Sequence, residues 1–151
     1  MEDAWKGEHF FYHMDAVRLA FADNVFDPGL GGDSGSYGNW SFNVAELYRK
    51  CNGKILFSVA RMNAFLDLYE KLLDGCPVIV SVRGKLAGGQ KEYNNGHLIV
   101  VVGFDPKDKC VICHDPAFYT DKSTLIKYKL ETFLRGWESS NRLAYVVNFR
   151  G

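Results

Sequence analysis

The sequence predicts an α+β fold, in which helical segments come first and a mostly antiparallel sheet follows. Apolar residues recur at helical spacing in the first half of the chain, whereas β-branched and alternating runs dominate the second half. The clearest single element is a β-hairpin over residues 96–116, whose first strand is apolar on both faces. A strand of that kind is expected to be covered on both sides, so the hairpin should be buried.

Length and composition restrict the classes of function open to the chain. With 151 residues, of which 47% are apolar, a single domain over residues 1–151 with a substantial core is expected. Residues 1–12 mix aromatic and charged side chains and are expected to form an N-terminal arm. Lysine plus arginine and aspartate plus glutamate both number 18, which argues against a nucleic-acid partner. No membrane span is expected, because the longest apolar run, residues 98–102, is too short.

Helices are predicted over residues 15–24 and 130–137, from Asn43 to about Lys50, and between Asn63 and Gly75. Asn43 and Glu46 have the spacing of a capping box, so the second helix is expected to begin at Asn43. Asn63 is expected to cap the third helix. The glycine-rich stretch over residues 28–41 is expected to be a long loop, either functional or a plain surface connection.

Strands are predicted where apolar or alternating residues run between turn signals. They cover residues 54–60, 77–83, 97–104, 110–115, 124–129 and 143–149. A polar, glycine-rich loop over residues 84–95 is expected to lead the chain to His97, which opens the first strand of the hairpin.

The register of the hairpin follows from the length of its loop. If residues 105–109 form the loop, Phe104 pairs with Cys110, and the same register places Ile99 opposite Asp115. A loop shorter by two residues would make His97 and Asp115 direct partners, whereas a shift of one residue would put them on opposite faces.

His97 and Asp115 are therefore candidates for a histidine–aspartate dyad. In the first register His97 lies two residues beyond the partner of Asp115 and on the same face, because side chains alternate along a strand. A diagonal pair of this kind is about 7–8 Å apart between Cα atoms, which an imidazole and a carboxylate can bridge. Such a pair makes up two thirds of a nucleophilic triad, in which the imidazole takes a proton from a thiol or hydroxyl.

No convincing nucleophile accompanies this dyad. A reactive thiolate favours a helix N-terminus, and none of the four cysteines is expected there: Cys51, Cys76, Cys110 and Cys113. Cys113 is the least unfavourable of them, because it lies two residues from Asp115 on the same face. Ser41 near a helix start is a conceivable nucleophile, although a role in helix entry fits it better. Buried free thiols are the simplest interpretation of all four cysteines.

The spacing of cysteine, histidine and aspartate residues argues against a metal site. Cys110 and Cys113 have CxxC spacing, but residues three apart on a strand point to opposite faces. A site built on His97, His114 and Asp115 meets the same objection, since His114 and Asp115 are adjacent. We therefore expect neither a metal nor a cofactor.

Several segments occur in an order that resembles a known family. They are residues 37–45 (YGNWSFNVA), 75–81 (GCPVIVS), 96–105 (GHLIVVVGFD) and 115–117 (DPA), followed by Tyr128 and Trp137. Over residues 14–149 the chain resembles the double-glycine peptidase-like family, papain-like cysteine peptidases related to bacteriocin-processing enzymes. The resemblance implies a papain-like fold, with His97 as the catalytic histidine and Asp115 as the residue that orients it.

The resemblance also implies a peptide or protein substrate and, for such relatives, a setting outside the cytoplasm. Candidates for contacts in the substrate cleft are Tyr37, Asn39, Trp40 and Gly96. The compartment itself stays open, because the first residues lack the apolar segment of a signal peptide.

The sequence departs from the family pattern at the nucleophile. Family members carry the cysteine in a Cys-Gly-Pro-type motif at a helix start, preceded by a glutamine, whereas the only glutamine here is Gln90. We therefore expect a fragment that carries the His–Asp half of the triad and is inactive alone. The alternative is a non-catalytic relative that binds a peptide or partner. If the first helix of the family is missing, the apolar surface that it would cover is exposed, and exposed apolar surface favours self-association. Alternatively, the N-terminal arm with Trp5 is expected to cover part of this surface.

Overall fold

A computed structural model of the chain describes residues 40–118 and 125–148. Within these residues it has helices α1 (Trp40–Lys50), α2 (Phe65–Leu73) and α3 (Leu130–Glu138). Its strands are β1 (Leu56–Arg61), β2 (Val78–Lys85), β3 (Glu92–Asp105), β4 (Cys110–His114), β5 (Leu125–Lys129) and β6 (Leu143–Asn148). The predicted arm and the predicted helix over residues 15–24 lie outside the described part.

The strands form one six-stranded sheet in the order β1-β6-β2-β3-β4-β5. The pairings of β2 with β3 and β6, of β3 with β4, and of β4 with β5 are antiparallel. The predicted α+β class is therefore confirmed. Among the described helices, none combines the length and the apolar character that a bilayer crossing requires.

The chain divides into two compact units, and the candidate site lies in the one formed by Ala60–Tyr145. The other unit takes in the described residues before Ala60 and after Tyr145. In that unit α1 buries Leu47, and Asn148 donates a 2.7 Å hydrogen bond to Ser58 Oγ.

Helices α2 and α3 build the core of the Ala60–Tyr145 unit. Leu68 of α2 and both Phe133 and Trp137 of α3 are fully buried. Phe133 and Trp137 are four residues apart, so they share one face of α3. Gly136 lets α3 approach β2, since a Cβ atom at this position would lie 3.2 Å from the carbonyl oxygen of Arg83.

Two of the predicted helix starts are wrong. Helix α1 begins at Trp40, so Asn43 and Glu46 lie inside it and do not form the expected capping box. The Glu46 carboxylate instead accepts a 2.8 Å hydrogen bond from Arg49 Nε. Helix α2 has Ala64 rather than Asn63 as its N-cap residue. The Asp67 carboxylate caps this end of the helix instead, because it accepts hydrogen bonds from the backbone N–H groups of Asn63 and Ala64.

The predicted loop over residues 84–95 is also mostly wrong. Strand β2 continues to Lys85 and β3 already begins at Glu92, so the connection is only residues 86–91. The pairs Gly84–Tyr93 and Lys85–Glu92 extend the β2–β3 ladder beyond an irregularity in register. The polar composition of residues 84–95 concealed this extension of β2 and β3, because the exposed end of a strand pair does not need alternating apolar residues.

Candidate active site

The β3–β4 hairpin places His97 and Asp115, and its register differs from the predicted one near the turn. Asp105 pairs with Cys110, so the predicted pairing of Phe104 with Cys110 is wrong. A bulge between Val101 and Gly103 then absorbs one residue of β3. Beyond it, Val100 pairs with His114, which is the register that the sequence predicts for the site end of the hairpin.

His97 and Asp115 form the predicted dyad. Nε2 of His97 lies 2.7 Å from Oδ1 of Asp115. The His97 residue is 8% exposed and Asp115 is 0% exposed, so water is excluded from the pair. Because Asp115 is a carboxylate, Nε2 donates the hydrogen bond, and Nδ1 is the ring nitrogen that remains for other chemistry.

Three donors hold the Asp115 carboxylate. Besides His97, the backbone N–H of Ala117 donates to Oδ1 at 2.8 Å, and the Tyr128 hydroxyl donates to Oδ2 at 2.7 Å. Burial acts to raise the pKa of Asp115, but the hydrogen bond and positive charge of His97, with the bonds from Tyr128 and Ala117, hold that pKa below its ordinary value. The site therefore keeps a buried carboxylate ionised.

Sequence reasoning missed two tyrosines of this site. Tyr128 was placed in the predicted strand over residues 124–129 and among the residues that carry the family resemblance, but not at the site; burial followed by the Asp115 bond raises its hydroxyl pKa. Tyr93 was assigned to the polar loop, yet its ring stacks on the His97 imidazole. The alternation in β5 points Tyr128 inward and could have suggested it, whereas no local pattern marks Tyr93.

The described cysteines do not supply a thiolate beside the dyad. All four are free and buried. Burial raises the pKa of the Cys51 and Cys76 thiols, and burial followed by the Asp115 charge raises that of Cys113 well above its ordinary value. Cys110 lies at the turn, where it pairs with Asp105, about 16 Å along the strand from Asp115.

The other predicted site residues are distributed as follows. Trp40 opens α1 and is 44% exposed, and Ser41 lies inside the same helix. Gly96 precedes His97 in β3 with a φ of +92°. Tyr37 and Asn39 lie outside the described residues.

The metal site that the sequence argued against would be built on His97, His114 and Asp115. His114 is buried, and burial lowers its pKa, so the ring is held neutral. Within residues 40–118 and 125–148, no three histidine, cysteine or acidic side chains come close enough together to hold a metal ion.

Replacing Tyr128 by phenylalanine should lower the free energy of unfolding by about 2 kcal/mol, because a buried carboxylate oxygen loses a charge-assisted hydrogen bond. Urea denaturation of the purified variant measures the change. Tyr69→Phe on α2 is the matched control and should change stability by less than about 0.5 kcal/mol. Equal effects of the two variants would contradict the assigned role of Tyr128.

The comparisons with known proteins concern the family and the fold. The sequence matches the model of the Peptidase_C39 like family over residues 9–145. The structure is similar to a solved structure from Bacillus anthracis, described as that of a candidate C39-like peptidase, with a TM-score of 0.56 and 20% identity. That similarity covers 78% of this chain but 64% of the other, so the chain spans less than two thirds of its structural relative. No curated protein matches the sequence.

The family model covers most of the chain, and the structural similarity supports the same fold. The resemblance to the double-glycine peptidase-like family is thereby confirmed, as is the α+β, papain-like architecture. The chain belongs to the Peptidase_C39 like family.

Proposed function

We propose that the chain carries the general-base half of a papain-like cysteine peptidase site and is inactive alone. His97 is the base in this proposal and Asp115 orients it. The observation that carries the proposal is the buried 2.7 Å contact between His97 Nε2 and Asp115 Oδ1. This contact occupies one ring nitrogen of His97. The other, Nδ1, makes no hydrogen bond with a described residue and is therefore available to a thiol.

The chemistry follows from this arrangement. Nδ1 takes the proton of a cysteine thiol, and the thiolate attacks the carbonyl carbon of a peptide bond. The imidazolium, stabilised by ionised Asp115, returns the proton to the leaving amine as the carbon–nitrogen bond breaks. Water then hydrolyses the acyl-thioester and restores the thiol. The substrate class in this proposal is a peptide or protein.

The thiol in this proposal comes from outside the 151 residues. Burial disfavours the thiolate of Cys51, Cys76 and Cys113, and Cys110 lies at the far end of β4. The same observation supports the second candidate, a family member that binds a peptide or a partner without cleaving it. The two candidates differ in whether the parent gene encodes a cysteine at a helix start upstream.

Amide hydrolysis by the chain tests the first part of the proposal. A fluorogenic peptide library should show no turnover with the chain, nor with the variant in which all four cysteines are alanine. Turnover by the chain that disappears in the four-cysteine variant would place the nucleophile inside this sequence. Turnover that survives in the variant would exclude a thiol mechanism.

The upstream coding sequence tests the second part. If it encodes a Cys-Gly-Pro-type helix start, the extended protein should hydrolyse peptides, and His97→Gln should lower kcat by about 10²–10⁴-fold. His114→Gln, at a second buried histidine, is the matched control and should retain activity. If no such cysteine is encoded, binding without cleavage becomes the better description.

A further inference from the structure

The rings of Tyr93 and His97 lie almost parallel, with their centroids 3.9 Å apart and their planes inclined by 9°. Both residues belong to β3 and are separated by only three others. In a regular strand, residues four apart are about 13 Å from each other. Strand β3 must therefore be shortened between them to allow the stack.

A β-bulge provides this shortening. Val82 of β2 pairs with His97 and Gly84 pairs with Tyr93, so the single residue Arg83 faces residues 94–96 of β3. Gly96 ends this bulge with a φ of +92°, in the left-handed region that favours glycine. Bulges of this kind redirect side chains. Here the bulge brings the Tyr93 ring onto the face of the imidazole.

The Tyr93 hydroxyl plays no visible part in this contact. Tyr93 is 4% exposed, and its buried hydroxyl has no hydrogen-bond partner among residues 40–118 and 125–148. Burial, followed by the charge of Asp115, raises the pKa of this hydroxyl to about 12, so it stays protonated. A buried, unsatisfied hydroxyl costs stability rather than adding to it. What Tyr93 contributes is therefore its ring.

We infer that Tyr93 is a positioning residue of the His97–Asp115 dyad, brought into place by the β3 bulge. Its ring covers one face of the imidazole, restrains rotation of the ring plane, and keeps water away from the Nε2–Oδ1 hydrogen bond. The inference rests on the proposed function, because positioning matters for the reaction only if His97 acts as the base. The hydrogen bond itself can be measured without any reaction.

Nuclear magnetic resonance of the isotope-labelled chain tests the inference. The proton on His97 Nε2 should give a downfield signal that exchanges slowly with water. Tyr93→Phe keeps the ring and should leave the position and exchange rate of this signal unchanged. Tyr93→Leu keeps apolar volume but removes the flat ring, and it should speed the exchange by about tenfold or more.

Phe133→Leu is the matched control, because it removes a ring from the Phe133–Trp137 stack, whose centroids are 5.8 Å apart. It should lower stability yet leave the His97 signal as in the unmodified chain. Equal exchange in Tyr93→Leu and the unmodified chain, or equal acceleration in Phe133→Leu, would overturn the inference. So would loss of the signal in Tyr93→Phe.

Tyr93→Met replaces Tyr93→Leu if the leucine variant does not fold. If neither folds while Phe133→Leu does, Tyr93 is a core residue and the inference is wrong. A chain that has no nucleophile and hydrolyses no peptide would still show the predicted pattern of His97 signals. Failure of the peptidase proposal therefore remains distinguishable from failure of the positioning role.

Discussion

Replacing Asp115 by alanine should lower the free energy of unfolding by about 3–5 kcal/mol, the range seen when one partner of a buried charged pair is removed. The carboxylate accepts hydrogen bonds from His97, Ala117 and Tyr128, and none of these donors has another acceptor in the described residues. Alanine would leave all three in a buried site. Urea denaturation near neutral pH, followed by circular dichroism, measures the change.

The isosteric variant Asp115→Asn makes the electrostatic part of this effect visible through pH. The pKa of Asp115 is lowered in the folded protein from an ordinary value of 3.8, so its charge stabilises the fold fully above that value. This stabilisation is lost as pH falls through the lower, folded-state pKa. The stability difference between the unmodified chain and Asp115→Asn should therefore shrink below about pH 4.

Asp108→Asn, at an exposed carboxylate of the β3–β4 turn, is the control for removing one surface charge. It should change stability by less than about 0.5 kcal/mol near neutral pH. A difference between Asp115→Asn and the unmodified chain that stays constant down to about pH 3 would show that the Asp115 charge does not stabilise the fold.

Trp137→Ala should also destabilise the protein by about 3–5 kcal/mol, because it removes a large, fully buried side chain from α3. The indole stacks on Phe133, and its Nε1–H donates a 3.0 Å hydrogen bond to the carbonyl oxygen of Leu143. The variant therefore creates a cavity and leaves a buried carbonyl without this donor. Denaturant unfolding measures the loss.

Trp137→Phe separates these contributions, since it retains most of the ring but not the donor, and we expect a smaller loss of about 1–3 kcal/mol. Leu73→Ala is the surface control, because Leu73 is 68% exposed, and it should cost less than about 0.5 kcal/mol. A loss in Trp137→Ala no larger than that of Leu73→Ala would mean that α3 is not packed as described.

Local patterns were enough for the elements whose signals are confined to neighbouring residues. The apolar run of β3 predicted a buried strand, and Ile99, Val100 and Val101 are all fully buried. The spacing of Leu130, Phe133 and Trp137 likewise predicted a helix within a residue of its observed end. Hydrophobic periodicity reports burial directly, which is why these predictions hold.

Predictions failed where a residue can form more than one pairing and the sequence does not indicate which one forms. Glu46 has the spacing to cap a helix at Asn43, but it pairs with Arg49 inside a longer helix. The hairpin register shows a related effect, because the turn pairs Asp105 with Cys110 while a bulge at Val102 corrects the register further along. Neither outcome is visible in residue type or spacing.

The candidate site likewise combines residues that the sequence indicated with residues that only the folded structure revealed. The sequence made His97 and Asp115 candidates for one face of a buried hairpin, because side chains alternate along a strand. The bulge between Val101 and Gly103 decided that they share this face, because the observed turn register alone would have put them on opposite faces. The distant Tyr128 and the Tyr93 stack depended on the folded sheet, because strand pairing brings β5 beside β4 and a bulge shortens β3 between Tyr93 and His97. Long-range pairing and irregular backbone set those contacts, and neither leaves a periodic trace along the chain.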